Sequence, residues 1–313
     1  MSGPPPDFPA PLAALAGQRP DAPDWFKAAL ADAPERSFVT VQGAPVEMLA
    51  WGRVGDPGLL LLHGNGAHAD WYSFIAPLLR SGRRVLAISF SGMGGSGWRT
   101  EYSVAQWADE ALAAAQAGGL FEAEVAPTVV AHSFGGFALM NLAARFGDRL
   151  AQAVIVDPPI RPPGAAQARS RHRADNARSA RVYDSVDAAL LRFRFLPAQG
   201  CEHLFIADHI ARHSLKAVVG PQGQPAWVWR FDPFVFRHFA FGQPYQDLGR
   251  AQCPMVLVRG GRSRLLSAEL LANAQALAPP GTRLMAVADA DHHVMVDQPR
   301  AFAELLDGLV ARR

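Results

Sequence analysis

The chain has 313 residues, half of them hydrophobic and 19% charged, which is globular composition with enough length for one large core and a smaller appended unit. Its net charge of +2 gives no electrostatic case for a nucleic-acid partner, and no apolar run approaches the roughly 20 residues of a membrane-spanning helix. The two cysteines, Cys201 and Cys253, form no CxxC pair, so neither a disulfide framework nor a metal site is expected.

In chain order, residues 1–35 are rich in Pro and Ala and read as an N-terminal arm with one short helix at 25–31. The arm lacks the basic start and apolar stretch of a signal peptide, which leads to the expectation of a cytoplasmic protein. From residue 36, SFVTVQG and VEMLAWG alternate around Gly-Ala-Pro and predict an antiparallel hairpin. Continuous apolar runs follow at 58–64, 84–90, 127–132, 152–157, 254–260 and 283–289. Runs of this length suit strands of a parallel sheet covered on both faces. Amphipathic stretches at 70–80, 103–118, 134–146, 267–278 and 299–312 lie between them. The predicted fold is therefore α/β: a mostly parallel, eight-stranded sheet with helices on both faces. The alternation stops between 158 and 247, a segment read as a largely helical cap inserted into a core of residues 36–157 and 248–313.

Three stretches carry chemistry. In VVAHSFGGFALMNLAARF a buried strand ends at His132, Ser133 follows, and a helix starts almost at once. Such a turn exposes a serine Oγ at the carboxyl edge of the sheet, next to the N–H groups of a helix N-terminus. A helix N-cap is the plainer role for the same serine. In LLLLHGNGAHADWY, His63 and Gly64 end a strand, and the loop can present the Asn65 N–H toward the same edge. With the Phe134 N–H it would form an oxyanion hole. In ADHHVMVDQPRAF a loop carries His292 and His293, either of which could serve as a general base for Ser133.

In this order the three motifs resemble the α/β-hydrolase fold superfamily, in its capped esterase, lactonase and C–C hydrolase branch. The resemblance covers 36–157 and 248–313. It implies that His292 is the base, because Asp297 and Pro299 follow it at the family's spacing, and that 158–247 forms a lid. Two positions depart from the pattern. Ser89 stands where the family usually has Asp, and the loop RGGRSRLLS, with Arg262, Ser263 and Arg264, lacks the usual acid. Some members place the acid after the preceding strand, and Asp157 occupies that place, 24 residues beyond Ser133. Asp157 is the predicted triad acid, with Asp289 and Asp291 as alternatives.

The predicted function is hydrolysis of a carboxylic ester or lactone through an acyl-enzyme on Ser133, with a small-molecule substrate and no cofactor or metal. C–C bond hydrolysis of a vinylogous diketo acid would use the same triad, and a non-hydrolytic ligand receptor would share the fold. Steady turnover of short p-nitrophenyl esters separates the first two, and labelling by a fluorophosphonate separates both from a receptor. In the cap, Trp227, Trp229 and Arg192 are candidate substrate contacts. Arginines are nevertheless discounted, because only Lys27 and Lys216 are lysines, a skew that looks like genome composition. Whether the chain self-associates is left open.

Overall fold

The computed structural model describes residues 10–158, 160 and 180–310. The strands in chain order are β1 (Glu35–Val41), β2 (Ala44–Trp51), β3 (Gly58–Leu62), β4 (Arg84–Ser89), β5 (Tyr102–Ser103), β6 (Thr128–His132), β7 (Gln152–Val156), β8 (Leu215–Val219), β9 (Pro225–Trp229), β10 (Phe239–Ala240), β11 (Met255–Gly260) and β12 (Arg283–Val287). Eight of them form one sheet in the order β1-β2-β4-β3-β6-β7-β11-β12. β1 and β2 pair antiparallel, β2 pairs antiparallel with β4, and every later neighbour is parallel.

The central strands are apolar throughout because each of their faces is covered. Leu60, Leu62, Leu86, Ile88, Val129, Ile155 and Leu257 point into one core. Leu59, Leu61, Val85, Val130, Val154, Val156 and Val258 point into the other, as the two-residue period of a strand requires. The helices are α1 (Asp24–Ala31), α2 (Ala76–Leu79), α3 (Val104–Ala117), α4 (Gly135–Phe146), α5 (Val186–Leu190), α6 (Leu204–His213), α7 (Pro244–Gly249), α8 (Ala268–Leu277), α9 (Val294–Asp297) and α10 (Pro299–Leu309). Trp107, Ala111 and Ala114 of α3 and Phe137 and Leu142 of α4 fill the first core. Leu79 of α2, Ile206 and Ile210 of α6, and Phe302 and Leu306 of α10 fill the second.

Two elements differ from expectation in detail. β12 is the edge strand, so Arg283, Leu284 and Ala286 are exposed instead of covered. From residue 180 onward the insertion holds α5 and α6 together with a hairpin of β8 and β9 that no alternation had signalled. From residue 10 onward the arm packs on the body: Leu12 and Phe26 are buried in the second core, and Phe26 touches Phe74 and Phe205. No helix among the described residues is long and apolar enough to cross a membrane.

Candidate active site

β3, β6, β7, β11 and β12 all end at the same sheet edge, where loops of a parallel sheet form a crevice. Ser133 follows the last residue of β6 with φ +54°, left-handed backbone that is uncommon for a non-glycine residue. The contacts at this turn are local. Ser133 N–H donates to the Val156 carbonyl at 2.8 Å, so the turn is tied to β7. A Cβ on Gly135 would lie 2.3 Å from the His63 carbonyl oxygen, and one on Gly136 would lie 2.7 Å from the Ile155 side chain. The two glycines let α4 start directly against the sheet.

Ser133 Oγ lies 2.8 Å from His292 Nε2, and His292 Nδ1 lies 2.7 Å from Asp157 Oδ2. The carboxylate accepts a hydrogen bond from Nδ1–H, which leaves Nε2 with a lone pair to accept from the serine O–H. Exposure is 8% at Ser133, 3% at His292 and 0% at Asp157, so only the serine end of the chain is open. Asp157, also left-handed at φ +46°, accepts two further bonds, from Gly260 N–H at 3.1 Å and Ser263 Oγ at 2.6 Å. Asp289 is exposed, Asp291 is half-buried, and neither carboxylate is bonded to His292.

The loop after β3 abuts Ser133, since a Cβ on Gly64 would lie 2.9 Å from Ser133 Cβ. Gly66, at φ +70°, turns the loop, and Ala67 N–H closes it on the Gly64 carbonyl at 3.3 Å. His63 braces its base: Nδ1–H donates to the Gly64 carbonyl, and Nε2 accepts from Phe90 N–H. Burial pushes its pKa down to about 3, so the ring stays neutral. Asn65 stands in this loop, and Phe134 is the N-cap of α4. Among the described residues no hydrogen bond takes the N–H of either. The Phe134 ring packs among Trp107, Phe137, Phe236, Phe239 and Phe241.

Four further residues shape the site. His132 Nε2–H donates to the His292 carbonyl at 2.8 Å, tying the residue before the serine to the histidine loop. Gln199, from the insertion, accepts from His293 N–H at 2.9 Å and donates to both Asp297 oxygens at 2.9 and 3.0 Å. Asp297 also accepts from Asp291 N–H, and burial raises its carboxyl pKa to about 6. Glu47 of β2 is buried beside Ser89 and accepts its hydroxyl at 2.7 Å. Burial opposes its charge, but bonds from Ser89 and Gly95 and the guanidinium groups of Arg230 and Arg36 outweigh this and hold its pKa below the ordinary carboxyl value. Ser89 stands where the family usually has Asp, and a carboxylate reaches it here from the neighbouring antiparallel strand.

Candidate ligand atoms of His132, His292 and His293 lie within 4.8 Å of one another. His132 Nε2 and both nitrogens of His292 are engaged in hydrogen bonds, whereas neither ring nitrogen of His293 has a partner among the described residues. Burial holds the pKa of both His132 and His293 well below the ordinary histidine value.

The proposed cap contacts are not brought to the serine directly. Trp229 donates to the Tyr183 hydroxyl at 3.1 Å, and Trp227 pairs with Tyr183 through the backbone. Ring contacts run from Trp229 through Phe193 and Phe195 to His293. Arg192 is exposed beside Leu191 and Arg194 in a shallow cleft. Arg161, Arg169, Arg171, Arg173 and Arg178 lie outside the described residues.

Residues 59–305 match the Alpha/beta hydrolase family. The chain is 29% identical to the esterase Rv0045c of Mycobacterium tuberculosis over 286 residues, covering 87% of this chain and 89% of that protein. A structure of that M. tuberculosis esterase superposes with a TM-score of 0.68 at 25% identity, over 92% of this chain and 99% of the other. E-2-(acetamidomethylene)succinate hydrolase shares the fold at a TM-score of 0.72 and 18% identity, over 88% of this chain and 98% of that one.

Proposed function

Because this chain belongs to the alpha/beta hydrolase family, we propose that it hydrolyses a carboxylic ester or lactone through an acyl-enzyme on Ser133. The observation that carries this reading is the unbroken series of hydrogen bonds from Ser133 Oγ through His292 to the buried Asp157 carboxylate. The esterase activity named for the M. tuberculosis relative supports an ester as substrate.

In the acylation step Ser133 Oγ attacks the substrate carbonyl carbon while His292 Nε2 accepts the hydroxyl proton. Asp157 balances the imidazolium charge and keeps the ring in the Nδ1–H tautomer. The tetrahedral oxyanion is held by the N–H groups of Asn65 and Phe134, the second at the positive end of α4. Collapse breaks the bond to the alkoxy leaving group, which takes the proton from His292. Water, deprotonated by the same nitrogen, then attacks the acyl carbon; the carbon–Oγ bond breaks, Ser133 Oγ takes the proton back from His292, and the carboxylic acid leaves. In this reading residues 158–247 act as a lid over the crevice.

The test is a panel of p-nitrophenyl esters, lactones and amides turned over by the wild type and by Ser133→Ala, with fluorophosphonate labelling of both. Labelling of the wild type alone, and loss of about a thousandfold or more in the variant, is the expected result. Turnover retained in Ser133→Ala would refute the nucleophile.

A further inference from the structure

One turn touches both the acid and the base loop. Residues Gly260 to Ser263, at the end of β11, form a turn closed by Ser263 N–H on the Gly260 carbonyl at 3.0 Å. Toward the histidine loop it makes two bonds, Gly261 N–H to the Val287 carbonyl at 2.8 Å and Arg262 N–H to the Ala290 carbonyl at 2.9 Å. The approach is close enough that a Cβ on Gly260 would lie 2.1 Å from the Asp291 carbonyl oxygen. Toward β7, the same turn sends Gly260 N–H and the Ser263 hydroxyl to the Asp157 carboxylate.

The Ser263 hydroxyl has little freedom to do anything else. Its oxygen accepts from Leu265 N–H at 3.2 Å, with Leu266 N–H at 3.5 Å behind it, and its side chain is buried. The proton is therefore aimed at Asp157 Oδ2, the same oxygen that accepts from His292 Nδ1. A carboxylate with one such bond could rotate or slide along the imidazole edge. With donors on both oxygens, and two on Oδ2, it is fixed in the plane where His292 needs it.

We propose that Ser263 is a positioning residue of the triad, its hydroxyl holding the Asp157 carboxylate against His292 Nδ1 and drawing off part of its negative charge. The proposal rests on the Ser133–His292–Asp157 reading above. Its consequence has a definite sign. Loss of the hydroxyl leaves more charge on the carboxylate, which favours imidazolium, so His292 would hold its proton to higher pH. The titratable groups facing His292 are Asp157 from the end of β7, His132 from the end of β6 and His293 from its own loop. Burial keeps the two histidines neutral. Of the nearby charges, Arg262 is turned to the Asp289 carbonyl and Asp297 to Gln199, so Ser263 is the one group of this turn that acts on the pair through a side chain.

The experiment compares kcat and KM for p-nitrophenyl butyrate across pH in the wild type, Ser263→Ala, Ser263→Thr and Asp157→Asn. Melting temperatures monitor folding. Ser263→Ala should lower kcat about tenfold with little change in KM and move the acidic limb of kcat/KM upward by about half to one pH unit. Ser263→Thr, which keeps the hydroxyl, should return both toward wild type. A limb that stays in place in a folded Ser263→Ala refutes the role of Ser263, as does a Ser263→Thr variant that behaves like the alanine. Near-normal turnover in Asp157→Asn would instead remove the acid itself, and the proposal with it.

Discussion

The contact of Gly135 with His63 makes the turn at Ser133 measurable by a single methyl group. In Gly135→Ala the new carbon would start 2.3 Å from the His63 carbonyl oxygen. A comfortable C···O approach is about 3.3 Å, so α4 and the β3 loop must part by about 1 Å. Overpacking of this kind costs about 1–3 kcal/mol in stability, partly offset by the better helix propensity of alanine, which contributes about 1 kcal/mol. The larger effect falls on the chemistry. The proposed oxyanion donors, Asn65 and Phe134, sit on the two elements forced apart, and a displacement of about 1 Å in a reacting geometry lowers turnover about a hundredfold. Gly308→Ala in α10 is the control, because nothing lies within 4 Å of its Cβ position and the substitution should be neutral or stabilising. Thermal melts and kcat for p-nitrophenyl butyrate on both variants are the assay. A Gly135→Ala enzyme with wild-type kcat would refute the argument that this close approach sets the catalytic geometry.

Adjacent histidines should respond differently: His292→Ala should lose about a thousandfold or more in kcat, as expected for a general base. His293→Ala should keep kcat within about tenfold while lowering the melting temperature, since it leaves a cavity among Trp71, Phe195 and His132. Asp157→Asn should lose about 10⁴ in kcat, and adding Ser263→Asp should restore at least about tenfold of it, because Ser263 Oγ already bonds the oxygen that His292 uses. No recovery in a folded double variant would show that a carboxylate at 263 cannot reach the ring. His209, bonded to Ser73 Oγ at 2.7 Å, has its pKa pushed by burial from 6.5 to about 3. The unfolded chain therefore binds its proton first, and stability is lost as pH falls from 6.5 toward about 3. Urea midpoints at neutral and mildly acidic pH should differ less in His209→Gln than in the wild type, and an equal difference would refute the assignment.

What the sequence disclosed follows from how local each signal is. GLLLL, TVVAH and QAVIV read as buried strands because both faces of each strand meet a core, which leaves an unbroken apolar run. Ser133 stood out because Gly135 and Gly136 are needed within three residues of it. The RLMAV run misled on burial, since apolar residues on an edge strand look no different in one dimension. Glu47 was invisible because its partner Ser89 is 42 residues away and the meeting depends on the pairing of β2 with β4. Gln199 and Ser263 are ordinary polar residues whose bonds span about a hundred positions, and no spacing rule reaches that far. The β8 and β9 hairpin lacks alternation because Leu215–Val219 is mostly exposed and Trp227 and Trp229 are only half-buried.

The Gln199 amide has a consequence for anyone who would exchange the insertion between relatives. Its three hydrogen bonds all end on residues 293–297, immediately after His292. If the insertion is the proposed lid, a chimera that swaps it would change which molecules enter, and it would also cut the Gln199 bonds to the histidine loop. Poor turnover in such a graft would then be ambiguous between a bad fit and a slack base. A donor segment chosen to place a carboxamide over Asp297 separates the two.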